Sequence, residues 1–209
     1  MNDKGLLMII SGFSGTGKGT VVNRLLEKYG DFYALSISAT TRNPREGEVH
    51  GREYFFKTTA EFEAMIADGE LIEYARYVDN YYGTPKTYVE ERLEEGCNVI
   101  LEIEIQGALK VKKIFPEAVL IFLFPPSVEE LETRLKTRGT ETLDIIHERM
   151  ARACKEIDSA YDYDYVVIND TVENCTDTIH GIINTEKLKV SRQKDFIKKL
   201  QDDLKGHYC

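Results

Sequence analysis

Residues 10–20, ISGFSGTGKGT, set four glycines and a lysine directly behind the apolar run of residues 6–10. These residue types suit anion binding. Successive backbone N–H groups in a glycine loop point inward and hold phosphate oxygens. A helix start adds a favourable dipole, and Lys18 supplies a mobile charge for the outer phosphates. The spacing Gly12-x4-Gly17-Lys18 is that of a phosphate loop, and the dinucleotide fingerprint G-x-G-x-x-G is not matched. One position departs. A strict phosphate loop carries Ser or Thr after the lysine, with its hydroxyl on Mg²⁺, and here Gly19 stands there. That leaves Thr20, or waters and phosphates, to hold the ion.

Little else in the chain is reactive. Cys97, Cys154, Cys175 and Cys209 are widely spaced, with no CxxC and so no zinc pattern. They fit reduced thiols in a cytosolic protein, and the four histidines are equally scattered. The net charge of -9 argues against general nucleic-acid binding, which needs a basic face. An anionic ligand must therefore be met by local arginines or a metal.

The elements that must position these groups follow from the hydrophobic pattern. Residues 6–10 read as a buried strand. Val21, Val22, Leu25, Leu26 and Tyr29 lie at helical spacing, so the glycine loop joins a strand to a helix. Residues 98–105 read as a strand and 107–115 as a helix. Residues 119–124, VLIFLF, suit a strand covered on both faces. Ser127 and Glu130 form a capping box for the next helix, and residues 165–168 make a last strand. The alternation predicts an α/β fold with a mostly parallel sheet flanked by helices. Two segments, residues 36–82 and Arg138-Gly139-Thr140, break the rhythm and read as insertions that carry function. The basic stretch from Glu186 onward, with Ile197, Leu200 and Leu204 at helical spacing, predicts an amphipathic helix packing on the core. No stretch is apolar enough to span a membrane and no signal peptide is evident, so a cytoplasmic location is expected.

Taken together, the motifs resemble a known family. GFSGTGKGT is similar to the phosphate loop of nucleoside monophosphate kinases. SISATTRNPREGEVHGREYFF, LIEYARYVDNYYGTP, ILEIEIQGA and PPSVEELETRLKTRGTET resemble the signatures of guanylate kinases, and together they span most of residues 7–170. The resemblance implies transfer of a phosphoryl group from ATP to GMP or dGMP, giving ADP and GDP, with Mg²⁺. It also implies a P-loop core (residues 1–35, 85–126 and 150–209), a mixed GMP-binding insertion (36–84) and a helical lid (127–149). Gly12, Phe13, Ser14, Gly15, Thr16, Gly17, Lys18, Gly19 and Thr20 would bind ATP.

Arg42 and Arg45 resemble the pair that grips the GMP phosphate, a task that suits the planar guanidinium fork. Tyr54 and Tyr82 match tyrosines whose hydroxyls reach the same phosphate. Glu73 matches the carboxylate that reads guanine, Ser38 and Thr84 its hydroxyl partners, and Glu102 an acid near the same ring. A carboxylate accepts both N1–H and N2–H of guanine, whereas adenine offers it an acceptor. Such polar sites reject the wrong partner by about 10⁴–10⁵. Thr84 has a competing role, capping the helix that begins at Pro85. Arg134, Arg138 and Arg149 resemble the lid arginines that act with Lys18 and Arg42 on the transferring group, where positioning and electrostatics dominate. Phe13, Ala39 and Glu104 depart from the more usual Pro, Ser and Asp. Two other readings are a kinase for another monophosphate and a binding module without catalysis. Glu73 with Ser38 speaks against the first, and the intact Lys18 against the second.

Overall fold

The computed structural model describes residues 4–77, 79–137 and 142–208. In chain order the first elements are β1 (Leu7–Gly12), α1 (Lys18–Tyr29), β2 (Tyr33–Leu35), β3 (Ala39–Thr40) and β4 (Phe55–Phe56). Next come α2 (Thr59–Ala67), β5 (Leu71–Tyr77), β6 (Asn80–Pro85), α3 (Lys86–Glu94) and β7 (Asn98–Glu102). The chain continues through α4 (Ile105–Ile114), β8 (Val119–Phe124), α5 (Val128–Thr137) and α6 (Leu143–Glu156). It ends with β9 (Tyr165–Ile168), α7 (Val172–Lys187) and α8 (Lys194–Tyr208).

Five strands form a parallel sheet in the order β2-β7-β1-β8-β9. β1 and β8 lie inside it and are buried along almost their whole length, which is why both read as unbroken aliphatic runs. One sheet face packs on α1 and α7 through Val21, Val22, Leu25, Cys175, Ile179 and Ile183. The other packs on α3 and α4 through Val89, Leu93, Ala108 and Val111. A third cluster joins Phe13 of the glycine loop to Phe122, Leu131, Leu135 and Ile146, so α5 and α6 rest on the loop. A separate sheet, β4-β3-β6-β5, draws all its strands from residues 39–85 and mixes parallel with antiparallel pairs.

Three expectations need correction. The strand expected over 98–105 stops at Glu102, the last residue paired with β1, opposite Ile10. The Ile103 carbonyl turns away to accept from the Ser11 hydroxyl at 2.9 Å, and α4 begins at Ile105 rather than 107. The capping box at α5 is half made. Ser127 Oγ accepts the Glu130 N–H at 3.1 Å, but the Glu130 carboxylate holds Arg134 Nε at 2.7 Å. Finally, α8 is amphipathic but buries none of its residues, and Phe196, Ile197, Leu200 and Leu204 remain about half exposed.

Candidate active site

The chain leaves the middle strand β1 for β2 on one side, while β8 and β9 lie on the other. The crevice outside the strand ends at such a switch point is where open α/β sheets bind ligands. Residues 13–17 sit there, between β1 and the first turn of α1. Two glycines are dictated by the backbone. A Cβ on Gly12 would lie 2.4 Å from the Leu123 carbonyl oxygen of β8. Gly17 has φ of 85°, and a Cβ there would meet Asn169 Nδ2 at 2.7 Å. The loop is tied internally by Thr16 Oγ1, which donates to the Phe13 carbonyl at 2.9 Å. Lys18 curls back over it, donating through Nζ to the carbonyls of Gly12 at 2.8 Å and Phe13 at 3.0 Å. The first amides of α1 have no intrahelical partner, so a phosphate can accept from them.

Arg134 lies under this loop. Nη2 donates to the Asn169 carbonyl at 2.9 Å and Nη1 to the Thr16 carbonyl at 3.5 Å, while Nε holds Glu130. Arg149, on α6, donates to the Ser14 hydroxyl. Two of the three arginines expected of the lid thus touch the loop directly, Arg134 as a brace. Arg138 lies outside the described residues. Asn169, just past the end of β9, was not foreseen. It is buried, and its Nδ2 donates to the Thr16 carbonyl at 2.7 Å. The available signal was an Asn ending a predicted strand of a parallel sheet.

The second sheet supplies the other half. Arg42 lies over the rings of Tyr54, at 5.4 Å, and Phe56, at 5.8 Å. Its Nη1 donates to the Asn43 carbonyl at 2.7 Å and its Nη2 to Glu48 Oε1 at 2.8 Å. Tyr54 and Tyr82 meet edge to face, 6.0 Å apart. The Arg45 side chain is exposed.

Glu73 of β5 sits opposite Thr84 of β6, and the fully buried Thr84 hydroxyl donates to Glu73 Oε1 at 2.8 Å. α3 has no side-chain cap, so the capping role weighed for Thr84 is not used. Burial raises the Glu73 carboxyl above its ordinary pKa, and the Thr84 bond and Lys110 act against this. Gly107 leaves room for this carboxylate, since a Cβ there would be 3.2 Å from Oε2. Ser38, Tyr54, Thr84 and Glu102 line one cavity of about 140 Å³, together with Ser36. Glu102 also borders the loop, its oxygens 3.6 and 3.7 Å from where a Gly19 side chain would begin. Thr20 is exposed. Glu104 points elsewhere and accepts from Arg152 Nη2 of α6 at 2.8 Å.

Comparison with known proteins places the chain in a family. The guanylate kinase family model matches residues 4–186. The guanylate kinase of Oceanobacillus iheyensis is 53% identical over 205 residues, covering 98% of this chain and 99% of its own. That of Bacillus subtilis is 53% identical over 200 residues, covering 96% and 98%. The crystal structure of guanylate kinase from Anaplasma phagocytophilum superposes with a TM-score of 0.71 at 34% identity, over 91% of this chain and 90% of that one. With nearly full-length relatives at this identity, the chain belongs to the guanylate kinase family.

Proposed function

We propose that the chain transfers the γ-phosphoryl group of ATP to GMP, and to dGMP, giving ADP and GDP. One observation carries this reading. The Glu102 carboxylate stands beside Gly19 at the start of α1 and also lines the cavity of Ser38, Tyr54 and Thr84. An anion cradle and a polar base-sized recess therefore share one wall, as transfer between two nucleotides requires.

In this reading residues 12–20 hold the ATP phosphates, with Lys18 released from its own loop to follow them. Arg42, Arg45, Tyr54 and Tyr82 hold the GMP phosphate, and Arg42 remains stacked on its aromatic neighbours while it does so. Glu73, kept in place by Thr84, takes the two guanine N–H groups, and Ser38 and Glu102 complete the recess. The acceptor is already an anion, so no strong base is needed, and the gain comes from alignment and charge stabilisation. Arg149, and Arg138 by resemblance, add positive charge over the transferring group, while Arg134 holds the loop in shape. Residues 36–84 serve as the acceptor-binding part and 127–149 as the lid that excludes water.

The residues present fit a magnesium ion carried in with the nucleotide. Glu102 and the bound phosphates would hold it, and Gly19 leaves space between them. Among the described residues no group of three or more potential ligands occurs, which agrees with an ion that keeps several waters. When bound, magnesium neutralises charge on the phosphates. No helix among the described residues is long and apolar enough to cross a membrane. We assign the activity to the cytoplasm, and the net charge of -9 supports the absence of a nucleic-acid partner.

The test is ADP release from ATP with GMP, dGMP, AMP and UMP in turn. Turnover is expected with GMP and dGMP. Equal turnover of AMP would remove the role of Glu73 in reading the base. No turnover with any acceptor would make the chain a binding module.

A further inference from the structure

Within the acceptor-phosphate seat one carboxylate has no assigned part. Glu48 lies six residues beyond Arg42, and the two side chains are 18% and 17% exposed. Oε1 accepts from Arg42 Nη2 at 2.8 Å, and Oε2 accepts the Arg45 backbone N–H at 2.7 Å. An acid beside the groups that must bind a phosphate dianion is at first sight a competitor for the seat.

The backbone argues otherwise. Residues 45–48 form a turn in which the Glu48 N–H donates to the Arg45 carbonyl at 3.1 Å, with Gly47 at φ of 85°. The Arg45 N–H returns the bond to the Glu48 carboxylate. Glu48 is therefore fixed by its own turn, through bonds that do not involve Arg42. A tethered carboxylate of this kind orients the guanidinium. A mere occupant would be held by the arginine alone. Arg42 has five N–H donors, and the bonds to Glu48 and Asn43 engage two of them. A phosphate can therefore be met while Glu48 stays where it is. Glu48 is the largest cause of the raised Arg42 pKa.

We propose that Glu48 is a positioning residue for the acceptor phosphate. It holds Arg42 in the direction from which it grips GMP and shapes the turn that presents Arg45. This rests on the reading of Arg42 and Arg45 as the phosphate grip.

Calorimetric titration with GMP and with guanosine, which lacks the phosphate, separates the possibilities. Glu48→Ala is expected to weaken GMP about tenfold while leaving guanosine and ATP affinity unchanged. Glu48→Gln, which keeps one of the two acceptors, falls between Ala and wild type. In steady state the loss should appear in KM for GMP and not in KM for ATP. Unchanged or tighter GMP binding would overturn the inference, since the carboxylate would then be idle or a competitor. Equal loss for GMP and guanosine would also overturn it, by showing collapse of the loop. Arg42→Ala is the control. If it weakens GMP and Glu48→Ala does not, only the role of Glu48 fails. If neither does, the phosphate grip itself is misplaced.

Discussion

Glu73 faces two opposed demands. In the proposed reading it must be ionised to accept both guanine N–H groups, yet its position against Thr84 and Gly107 removes water from it. Burial is the largest influence on its carboxyl and raises the pKa. The consequence has a definite sign. A raised folded pKa means that this group favours the fold at low pH, and that the contribution is lost as pH rises through the folded value. Once ionised, Glu73 is thus a cost to the empty protein. Glu73→Gln should lose about 1.5–3 kcal/mol of transition-state stabilisation with GMP, the worth of a hydrogen bond to a charged group. Its KM for ATP and its unfolding midpoint should not suffer. Wild-type KM for GMP should also begin to rise at a higher pH on acidification than an ordinary carboxyl would give, and the glutamine variant should lack that limb. Steady-state kinetics across pH and thermal unfolding of both proteins check these expectations. An acid limb unchanged in the variant would assign it to another group. Glu73 was singled out in the sequence by the resemblance of LIEYA to the family motif, and a carboxylate there suits guanine's two donors. Its bond with Thr84 was not, because the pairing exists only once β5 and β6 align.

The glycine loop shows the same limit at the scale of an element. A strand, a turn and a helix contiguous in sequence are readable from periodicity, and β1 and α1 stand where the pattern places them. The support beneath the turn comes from far along the chain. Asn169 follows β9, and Arg134 projects from α5. Nothing local in either segment marks them as neighbours of Thr16. Only the order β1-β8-β9, with the strand ends at one edge, brings them there. Removing the Asn169 amide takes the 2.7 Å donor from the buried Thr16 carbonyl and leaves it only the long 3.5 Å bond from Arg134 Nη1. Asn169→Ala should therefore cost about 1 kcal/mol in stability, the low end for a buried group that loses its main partner. It should also weaken ATP binding more than GMP binding, since the affected carbonyl belongs to the donor loop. Chemical unfolding and separate titrations with the two nucleotides measure both effects. Equal loss for both nucleotides would mean that the damage spreads beyond the loop.

At the scale of the molecule, the candidate site gathers at the carboxyl ends of the parallel strands, where β1 and β7 end in Gly12 and Glu102 and Asn169 follows β9. At the opposite end Gly5, Leu6 and Leu7 help line a groove of about 730 Å³ that runs to Asp195 and Phe196 at the start of α8. The apolar spacing of residues 197–204 foretold a helix correctly, because periodicity reports conformation. It could not report what covers the apolar face, and none of the helix is buried. What secures the end of the chain lies just before it. Glu186, 2% exposed, receives Tyr165, Lys189 and Arg192, and Arg192 also donates to the Glu117 carbonyl at 2.7 Å. Ending the chain at Gln193 keeps this clasp and, among the described residues, removes none that is buried. That shortened protein should retain kcat/KM for GMP within about twofold, and its unfolding midpoint should move by no more than about 2–4 °C, the shift that about 1 kcal/mol produces in a protein of this size. Arg192→Ala in the full chain should do more harm than loss of the whole helix. It breaks one side of a buried ionic cluster, and about 3 kcal/mol, the lower end for such a break, is expected because Lys189 and Tyr165 remain. Unfolding curves of the two variants give the order directly. A larger loss from the truncation would show that α8 stabilises the fold through contacts that its exposed face conceals.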